Sequence, residues 1–306
     1  MILSLMAESD NPGVLPAAPR ISVVVITRNE GSELEATVTN LLRTAPPSQL
    51  EMIVVDDAST DNSTGFLDSL PGVTVVRSPG QGVARARNLG ASHASGDVIL
   101  FADAHVRAPD GWPIPVTDAL RDERVGAVAP GIYSLNDPEC RGFGMSVGGP
   151  DLRVPWLRKT ASEPYPVPVL PGGFLAMRRE TYLRTGGYDP GMRQLGGNDA
   201  ELSCRLWLSG YEQKVIPELV VGHLFRSAAP YPSKWAALLH NRLRMALVHF
   251  HPERVERVVH ALLAYEAFPA AVAMTLDTDV QERRALLART RSFSDDWFFE
   301  RFSLAC

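Results

Sequence analysis

The 306-residue sequence predicts an α/β fold, in which helices flank a doubly wound parallel sheet and a helical extension follows. Two observations support this fold class. Four apolar, strand-like runs alternate with three segments of helical periodicity before residue 104. From residue 233 to the end, the apolar residues follow a helical and amphipathic pattern.

The four apolar runs are typical of strands that are buried on both faces of a parallel sheet. They read ISVVVITRNE (21–30), EMIVVDDAST (51–60), GVTVVRS (72–78) and GDVILFAD (96–103). The helical segments between them lie at 31–45, 62–70 and 82–95. Because helical crossovers join parallel strands, the carboxyl ends of these strands meet at one edge, where such sheets bind ligands.

The second half of the sequence is less regular. It predicts a helix and a strand within 110–135, a strand and a helix within 172–189, a helix over 198–211, and one or two short strands within 212–226. Residues 141–171 are rich in glycine and proline and contain no clear element, which is typical of a lid or a binding loop. In the helical extension, breaks are expected near Pro252 and Pro269.

Composition and charge exclude several classes of protein. The formal net charge is −5 at pH 7, so no nucleic acid partner is expected. No run of about 18 uncharged apolar residues occurs, so no transmembrane segment is expected. The three cysteines, Cys140, Cys204 and Cys306, lack metal-ligand spacing and are an odd set, which favours a reducing, cytoplasmic location.

Short segments rich in polar side chains lie at the carboxyl ends of three of the four predicted strands. They are Thr27, Arg28 and Asn29 after the first strand, Asp56 and Asp57 at the second, and Asp103, Ala104 and His105 at the fourth. All of them fall at the carboxyl edge of the predicted sheet, where ligands bind. They are therefore the first candidates for a functional site.

Asp103, His105 and His223 are candidate metal ligands. On an extended chain, Asp103 and His105 point to the same side because one residue separates them. An aspartate oxygen with histidine nitrogens favours Mn²⁺ or another borderline divalent cation over Mg²⁺. Since a ligating histidine must be neutral, binding is expected to weaken as the pH falls through about 6.5. The alternative is that Asp103 caps the next turn and His105 is simply exposed.

Six stretches of the sequence occur in the order found in family 2 of the nucleotide-sugar glycosyltransferases, which have the GT-A fold. They are ISVVVITRNE, IVVDDAST, GVARARNLGASHASGDVILFADAHV, PGGFLAMRRETYLRTGGYD, LGGNDAELSCRLW and VGHLFR. Several stretches resemble the catalytic domain of polypeptide N-acetylgalactosaminyltransferases more closely. Those enzymes carry Asp-x-His where most relatives carry Asp-x-Asp, and an ending similar to VGHLFRSAAPYP. The resemblance covers roughly residues 20–250.

The resemblance implies a Rossmann-like nucleotide-sugar-binding sheet with flanking helices. The expected organisation is a flexible leader at 1–19, a GT-A catalytic domain at 20–235 and a C-terminal helical extension at 236–306. Mn²⁺ and a UDP-sugar donor are implied, with a hexose or N-acetylhexosamine as the sugar. The acceptor is expected to be a hydroxyl or thiol of a peptide, a glycan or a small molecule. The extension is expected to bind the acceptor or to form a homodimer.

The resemblance also assigns roles to individual residues. Thr27 corresponds to a backbone contact with uridine, Asp57 to the carboxylate that accepts the uracil N3–H, and Asp56 to a structural or ribose contact. Asp103, His105 and His223 correspond to the metal ligands, and Arg226 and Tyr231 to residues near the diphosphate. The donor-binding set expected from position and resemblance is Thr27, Arg28, Asn29, Asp56, Asp57, Arg85, Asp103, Ala104, Gly172, Gly173, Arg226 and Tyr231.

Three of these assignments carry alternatives that the residues leave open. Arg85 is a phosphate candidate, but it also fits a solvated helix face. Gly172 and Gly173 are expected to let the donor sugar approach the backbone, because glycine has no Cβ. A plain turn is the alternative for these glycines.

The segment GGNDAEL resembles the part of the family that meets the sugar and the acceptor. Most family 2 enzymes have Glu-Asp there, and the aspartate is the general base of an inverting displacement. Polypeptide N-acetylgalactosaminyltransferases have Glu-Asn and retain the anomeric configuration. This chain has Asn198 and Asp199, so Asp199 is the expected base. The alternatives are a helix cap, a retaining reaction without a protein base, and a non-catalytic binding protein.

Overall fold

The computed structural model describes residues 14–226, 230 and 234–306. Its first four strands are β1 (Ile21–Thr27), β2 (Leu50–Asp57), β3 (Val73–Ser78) and β4 (Val98–Asp103). They lie parallel in the order β3-β2-β1-β4, which confirms the predicted arrangement. β1, β2 and β4 are mostly buried because their β-branched and apolar residues face helices on both sides of the sheet, whereas β3 at its edge is only partly buried.

Two helices of the first half follow the predicted pattern, α1 (Ser32–Arg43) and α2 (Val83–Ser92). The helix expected over 62–70 is only a 3₁₀ helix at Gly65–Ser69. Helix α2 lies very close to the sheet at Gly90, where a Cβ would stand 2.3 Å from Val24 Cγ1. Glycine at this position therefore sets the distance between α2 and β1.

The remaining strands make the sheet mixed rather than parallel. They are β5 (Val106–Arg107), β6 (Val125–Ser134), β7 (Asp137–Gly142), β8 (Tyr165–Pro166), β9 (Phe174–Arg178) and β10 (Glu212–His223). The sheet continues from β4 in the order β9-β6-β10-β5, and β9 is antiparallel to both of its neighbours. One long, bulged β10 replaces the one or two short strands expected over 212–226.

The helices of the second half are α3 (Pro113–Ala119), α4 (Arg179–Thr185), α5 (Asn198–Leu208), α6 (Trp235–His249), α7 (Pro252–Leu262), α8 (Phe268–Leu276), α9 (Val280–Ala288) and α10 (Asp295–Arg301). Pro252 opens α7 and Pro269 lies in the first turn of α8, so both predicted breaks occur where proline cannot continue a helix. Among the described residues, no helix is both long and apolar enough to cross a bilayer.

Residues 141–171 have more structure than the sequence predicted. They contain β8 and the isolated bridges Met145–Trp156, Met145–Val169 and Gly148–Arg153. Phe143 and Leu170 are buried in the main core. The segment is therefore packed against the domain because its scattered apolar residues are directed inwards, a pattern that neither helical nor strand periodicity would reveal.

The helical extension shares the core of the sheet. One apolar cluster joins Phe101 of β4 and Leu206 of α5 to Leu239, Val258 and Phe298 of the extension. The proposed boundary at 235/236 stays a prediction. Of the expected leader, residues 1–13 lie outside the described residues, whereas Leu15 is buried in the second apolar cluster, on the α1 side of the sheet.

Buried ion pairs attach the extension to the loop that precedes α5. Arg244 of α6 donates to Asp189 at 2.8 Å, and both side chains are fully buried. Glu201, a residue of α5 near the site, is also fully buried and bonds to Arg205 and to His249 of α6. Removing Arg244 would deprive the buried Asp189 of its two-pronged partner, so this pair holds α6 against the loop, and the Glu201–His249 bond holds α6 against α5.

Candidate active site at the edge of the sheet

A cavity of about 600 Å³ opens at the carboxyl ends of β1, β2 and β4. Ten residues expected at the site line it, namely Thr27, Arg28, Asp57, Asp103, Ala104, His105, Asn198, Asp199, His223 and Arg226. The extension contributes Ala237 of α6 and Met274 of α8 to the wall. No residue of 141–171, the segment expected as a lid, lines this cavity, although Trp156 packs against Phe225 in its wall.

Asp103, His105 and His223 form the one group among the described residues whose side chains are close enough to hold a metal ion. One ligand atom from each lies within 4.8 Å of the others. Oδ2 of Asp103 is 3.2 Å from Nε2 of His223, and Nδ1 of His223 is buried without a hydrogen-bond partner among the described residues. One carboxylate oxygen with two imidazoles fits a borderline divalent cation such as Mn²⁺.

The close approach of Asp103 and His105 has a different cause from the one expected. The strand ends at Asp103, and Ala104 and His105 lie in a turn before β5, so strand alternation does not apply to them. The pairing of β5 with β10 places Val106 opposite His223. This pairing brings the third ligand to the other two from a distant part of the chain.

Electrostatics favours a charged aspartate at this cluster. Burial alone would raise the pKa of Asp103, but the hydrogen bond with His223 and the charge of Arg87 outweigh it. The pKa of Asp103 is therefore held well below its ordinary range. An ionised carboxylate is the form that binds a cation.

The sequence reasoning missed Glu30, which follows β1. Its buried Oε2 lies 3.1 Å from Nδ1 of His105 and 2.7 Å from Nη1 of Arg226. A carboxylate at Nδ1 holds the proton on that nitrogen and leaves Nε2 as the ligand atom. Burial lowers the pKa of His105, but the bond with Glu30 and the charge of Asp103 outweigh it and raise the pKa. The only signal in the sequence is an acidic residue close to the carboxyl end of a buried strand.

Asp199 lies in the first turn of α5 but does not cap it. The cap position is Gly197, with φ of 78°, and no side-chain capping hydrogen bond is formed from that position. The capping alternative is therefore wrong. Asp199 instead accepts a hydrogen bond from Nη1 of Arg87 at 2.9 Å. Burial raises the pKa of Asp199, and the charge of Arg87 opposes this only in part.

The neighbouring Asn198 is buried and lines the cavity. Its Nδ2 donates to the carbonyl of Gly196 at 3.4 Å, whereas its Oδ1 has no hydrogen-bond partner among the described residues. A buried amide oxygen of this kind costs stability unless a ligand or water donates to it. Asn198 therefore offers an acceptor to a bound molecule.

Asp57 and Asp56, adjacent in β2, have different surroundings. Asp57 lines the cavity and accepts hydrogen bonds from Oγ of Ser78 and from the backbone N–H groups of Gln81 and Gly82. Its carboxylate therefore also shapes the loop that leads into α2. Asp56 does not line the cavity. It accepts from the backbone of Ser59 and pairs with Arg77, which is the structural alternative of the two considered for it.

Several expected site residues lie away from the cavity wall. Arg85 does not line the cavity, and its Nε donates to the carbonyl of Pro190 at 2.8 Å, so its role as a phosphate contact stays a prediction. The side chain of Asn29 accepts from the backbone of Thr60, and its φ of 57° makes it a turn residue. Tyr231 lies outside the described residues.

Gly172 and Gly173 are needed by the site, but not for the reason expected. Neither lines the cavity. A Cβ on Gly172 would stand 2.0 Å from Oδ1 of Asp199, and one on Gly173 would stand 3.0 Å from Cδ2 of His223. The absence of Cβ therefore admits the carboxylate of Asp199 and the imidazole of His223, while an approach of the donor sugar to these glycines stays a prediction.

Family models match two parts of the chain. The glycosyl transferase family 2 model matches residues 22–185, more than half of the chain. The chain belongs to glycosyl transferase family 2. A second model, described as the N-terminal domain of galactosyltransferase, matches residues 158–226. Together, the two matched ranges include the three candidate metal ligands, Asp103, His105 and His223.

Curated relatives extend this family 2 assignment. Mouse polypeptide N-acetylgalactosaminyltransferase 6 is 30% identical, over 92% of this chain and 49% of its own. Human polypeptide N-acetylgalactosaminyltransferase 10 is 30% identical, over 94% of this chain and 50% of its own. The predicted resemblance to this group is confirmed. The chain spans about half the length of these relatives.

Solved structures confirm the GT-A fold. GalNAc-T7 with UDP, GalNAc and Mn²⁺ gives a TM-score of 0.78 at 24% identity, covering 94% of this chain and 57% of that one. The mannosyltransferase PcManGT from Pyrobaculum calidifontis, in complex with GDP-Man and Mn²⁺, gives 0.55 at 22% identity, covering 93% and 83%. The family 2 chain described here therefore shares its fold with nucleotide-sugar enzymes across the helical extension as well.

Proposed function

We propose that this family 2 chain is a Mn²⁺-dependent glycosyltransferase that moves a hexose or N-acetylhexosamine from a UDP-sugar to an acceptor hydroxyl or thiol. The observation that carries the proposal is the cluster of Asp103, His105 and His223 in the wall of the same cavity as Asp57 and Asp199. The candidate metal ligands, the carboxylate proposed to bind the nucleotide and the candidate base thus line one cavity. The Mn²⁺ and UDP named for GalNAc-T7 support this choice of cofactor and donor.

The chain's own residues fit the donor. Asp103, His105 and His223 would hold the cation, which when bound stabilises negative charge on a departing diphosphate. Asp57 accepts the uracil N3–H with a lone pair that Ser78, Gln81 and Gly82 leave open. Arg226, which is paired with Glu30, also lines the cavity. Its positive charge would help to stabilise the departing diphosphate.

Asp199 is the residue proposed to remove the acceptor proton. It lines the cavity, and Asn198 beside it offers an unpaired oxygen to the donor sugar or the acceptor. In a single displacement the acceptor oxygen attacks the anomeric carbon, its proton passes to Asp199, and UDP leaves with the bonding pair. This step inverts the configuration. Retention without a protein base is the second candidate, favoured by the similarity to polypeptide N-acetylgalactosaminyltransferases.

The acceptor is the least constrained part of the proposal. The same similarity makes a peptide a reasonable acceptor, and glycans and small molecules stay open. A wall formed by Ala237 and Met274 supports a role for the extension in acceptor binding. Homodimerisation through the extension and a cytoplasmic location stay predictions.

Calorimetric titration of UDP, with Mn²⁺ and then with EDTA, tests the proposed function. We expect UDP binding that requires Mn²⁺ and is lost in Asp103→Ala. Asp118→Ala, which removes an exposed carboxylate paired with Arg121, is the control and should bind normally. Binding of UDP without any metal dependence would contradict the proposal.

A UDP-release assay across UDP-sugars then separates an enzyme from a binding protein. Wild-type protein should release UDP from at least one donor, and Asp103→Ala should not. NMR of the anomeric centre of the product distinguishes inversion from retention. Tight UDP binding with no release from any donor would favour the non-catalytic alternative.

A further inference from the structure

Arg87, on α2, connects the two carboxylates of the site. Its side chain is only 4% exposed. Nη2 donates to Oδ1 of Asp103 at 3.1 Å, and Nη1 donates to Oδ1 of Asp199 at 2.9 Å. One carboxylate ends β4 and the other lies in the first turn of α5. A single guanidinium therefore sets the position of a metal ligand and of the candidate base relative to each other.

The surroundings leave this guanidinium little freedom. Nη1 also bonds to the hydroxyl of Tyr188 at 3.1 Å, and Nη2 donates to the carbonyl of Gly172 at 2.8 Å. The guanidinium carbon lies 5.0 Å from the centre of the Tyr188 ring. A planar guanidinium whose two terminal nitrogens are both hydrogen-bonded fixes the orientation of the carboxylates that it binds. The single ammonium charge of a lysine does not.

Asp199 depends on this arrangement for its orientation. No helix-capping bond holds it, and its identified partners are Arg87 and the backbone of Gly172. The backbone of Gly172 lies against both groups and leaves no room for a side chain. A Cβ at this position would stand 2.0 Å from Oδ1 of Asp199 and 2.7 Å from Nη1 of Arg87. Arg85, two residues earlier on the same helix, makes no such contact. Its Nε donates to the carbonyl of Pro190 instead.

We propose that Arg87 is a positioning residue. Its guanidinium holds the Asp199 carboxylate at a fixed position relative to Asp103, in the orientation that takes up the proton of the acceptor group. The proposal rests on the proposed function of Asp199 as the base. Arg87 itself does not take up the proton. It directs one oxygen of each carboxylate towards itself, and Oδ2 of Asp103 remains turned to His223.

Arg87→Lys is the first test, because it keeps the charge and removes the two-pronged geometry. We expect kcat of UDP release to fall about 10²-fold, as for a misplaced catalytic group. The Kd of UDP with Mn²⁺ should change by less than about threefold, because Asp103 keeps its metal-facing oxygen. Arg43→Lys is the matched control, since it alters an exposed Arg–Asp pair with Asp110. A large loss of UDP affinity with kcat unchanged would overturn the proposal.

A double-mutant cycle then decides whether Arg87 acts through Asp199. If it does, Arg87→Lys combined with Asp199→Asn is no slower than Asp199→Asn alone. Multiplying losses would mean that Arg87 acts independently and would overturn the proposal. If Arg87→Lys does not fold, Gly172→Ala replaces it in the cycle, since its methyl group would crowd both Oδ1 of Asp199 and Nη1 of Arg87, and so disturb their contact, without changing any charge.

A crystal structure of Arg87→Lys provides a readout that needs no activity. The carboxylate of Asp199 should move from the position that Arg87 gives it, while His105 and His223 keep theirs. An unmoved Asp199 would overturn the positioning role even in a chain that transfers no sugar. Conversely, a moved Asp199 in a chain without UDP release would sustain the positioning role and refute only the proposed function.

Discussion

Oε2 of Glu30 lies 3.1 Å from Nδ1 of His105. The same oxygen is 2.7 Å from Nη1 of Arg226. One buried carboxylate thus orients a candidate metal ligand and holds a cation at the edge of the same cavity. Its removal would affect the metal cluster without removing any ligand.

Replacing Glu30 should weaken metal binding. Glu30→Gln keeps the shape but removes the charge that polarises the imidazole, and we expect a loss of about 10–100-fold in Mn²⁺ affinity. Titration of Mn²⁺ into the apoprotein measures it. Glu33→Gln is the control, since Glu33 of α1 pairs with Arg107 of β5 and does not line the cavity. Equal Mn²⁺ affinity in Glu30→Gln and wild type would show that His105 does not need its partner.

Asp57 offers a test of the uracil assignment. Asp57→Asn should weaken UDP binding by about 1–3 kcal/mol, because a charge-assisted hydrogen bond is lost. Asp57 also supports a loop, so Ser78→Ala is the necessary comparison: it removes one hydroxyl donor and keeps the carboxylate. Calorimetry of both variants with UDP and Mn²⁺ should find normal affinity in Ser78→Ala. Equal losses in the two would assign Asp57 to the loop alone.

The sequence predicted the parallel half of the sheet, and with it the positions of Asp57 and Asp103, for a clear physical reason. Buried parallel strands have continuous apolar runs, and their polar ends meet at one edge, which placed Asp57 and Asp103 together. The third ligand, His223, depends on the pairing of β10 with β5, which no local pattern encodes. It was a candidate ligand by residue type, and the resemblance of VGHLFR to a family motif supported its grouping with Asp103 and His105.

Residues whose roles depend on three-dimensional partners were not predictable from the sequence. Arg85 and Arg87 are separated by one residue on α2, and only the packing of α2 shows that Arg87 faces the carboxylates. Gly172 and Gly173 were expected from glycine's lack of Cβ, yet which group approaches them depends on α5 and β10. Glu30 was missed because a single acidic residue near a strand end has many ordinary uses.

Stability should fall in mild acid because of two buried histidines. Burial lowers the pKa of His240 and of His249 below the ordinary 6.5. The unfolded chain therefore takes up protons first, and stability decreases as the pH falls below about 6.5 and towards the folded pKa values. One pH unit below 6.5, the loss is at most about 1.4 kcal/mol for each histidine.

Urea unfolding at pH 7.5 and pH 5.5 measures this loss. His249→Gln should have a smaller pH dependence than wild type, whereas substitution of the exposed His93 should leave it unchanged. Glu201, whose pKa is lowered, contributes stability that is lost only below its unfolded value of 4.5, outside this window. The raised pKa values of His105 and Asp199 act in the opposite direction over the same window, so the deciding comparison is between His249→Gln and wild type. An equal pH dependence of the free energy of unfolding in these two proteins would contradict the expected acid sensitivity.

Asp199→Asn tests the base directly. The amide keeps the size of the side chain but cannot take a proton, so kcat should fall by about 10²–10⁴-fold while UDP affinity stays nearly intact. Since burial raises the pKa of Asp199 and a base must be ionised, the wild-type rate should increase with pH through a value above the ordinary aspartate range. This rise is the acidic limb of the pH–rate profile, and it should be absent from the residual activity of Asp199→Asn. Measurement of kcat from pH 4 to pH 8 with a saturating donor resolves both effects, and a retained limb with an unchanged rate would favour the retaining reaction without a protein base.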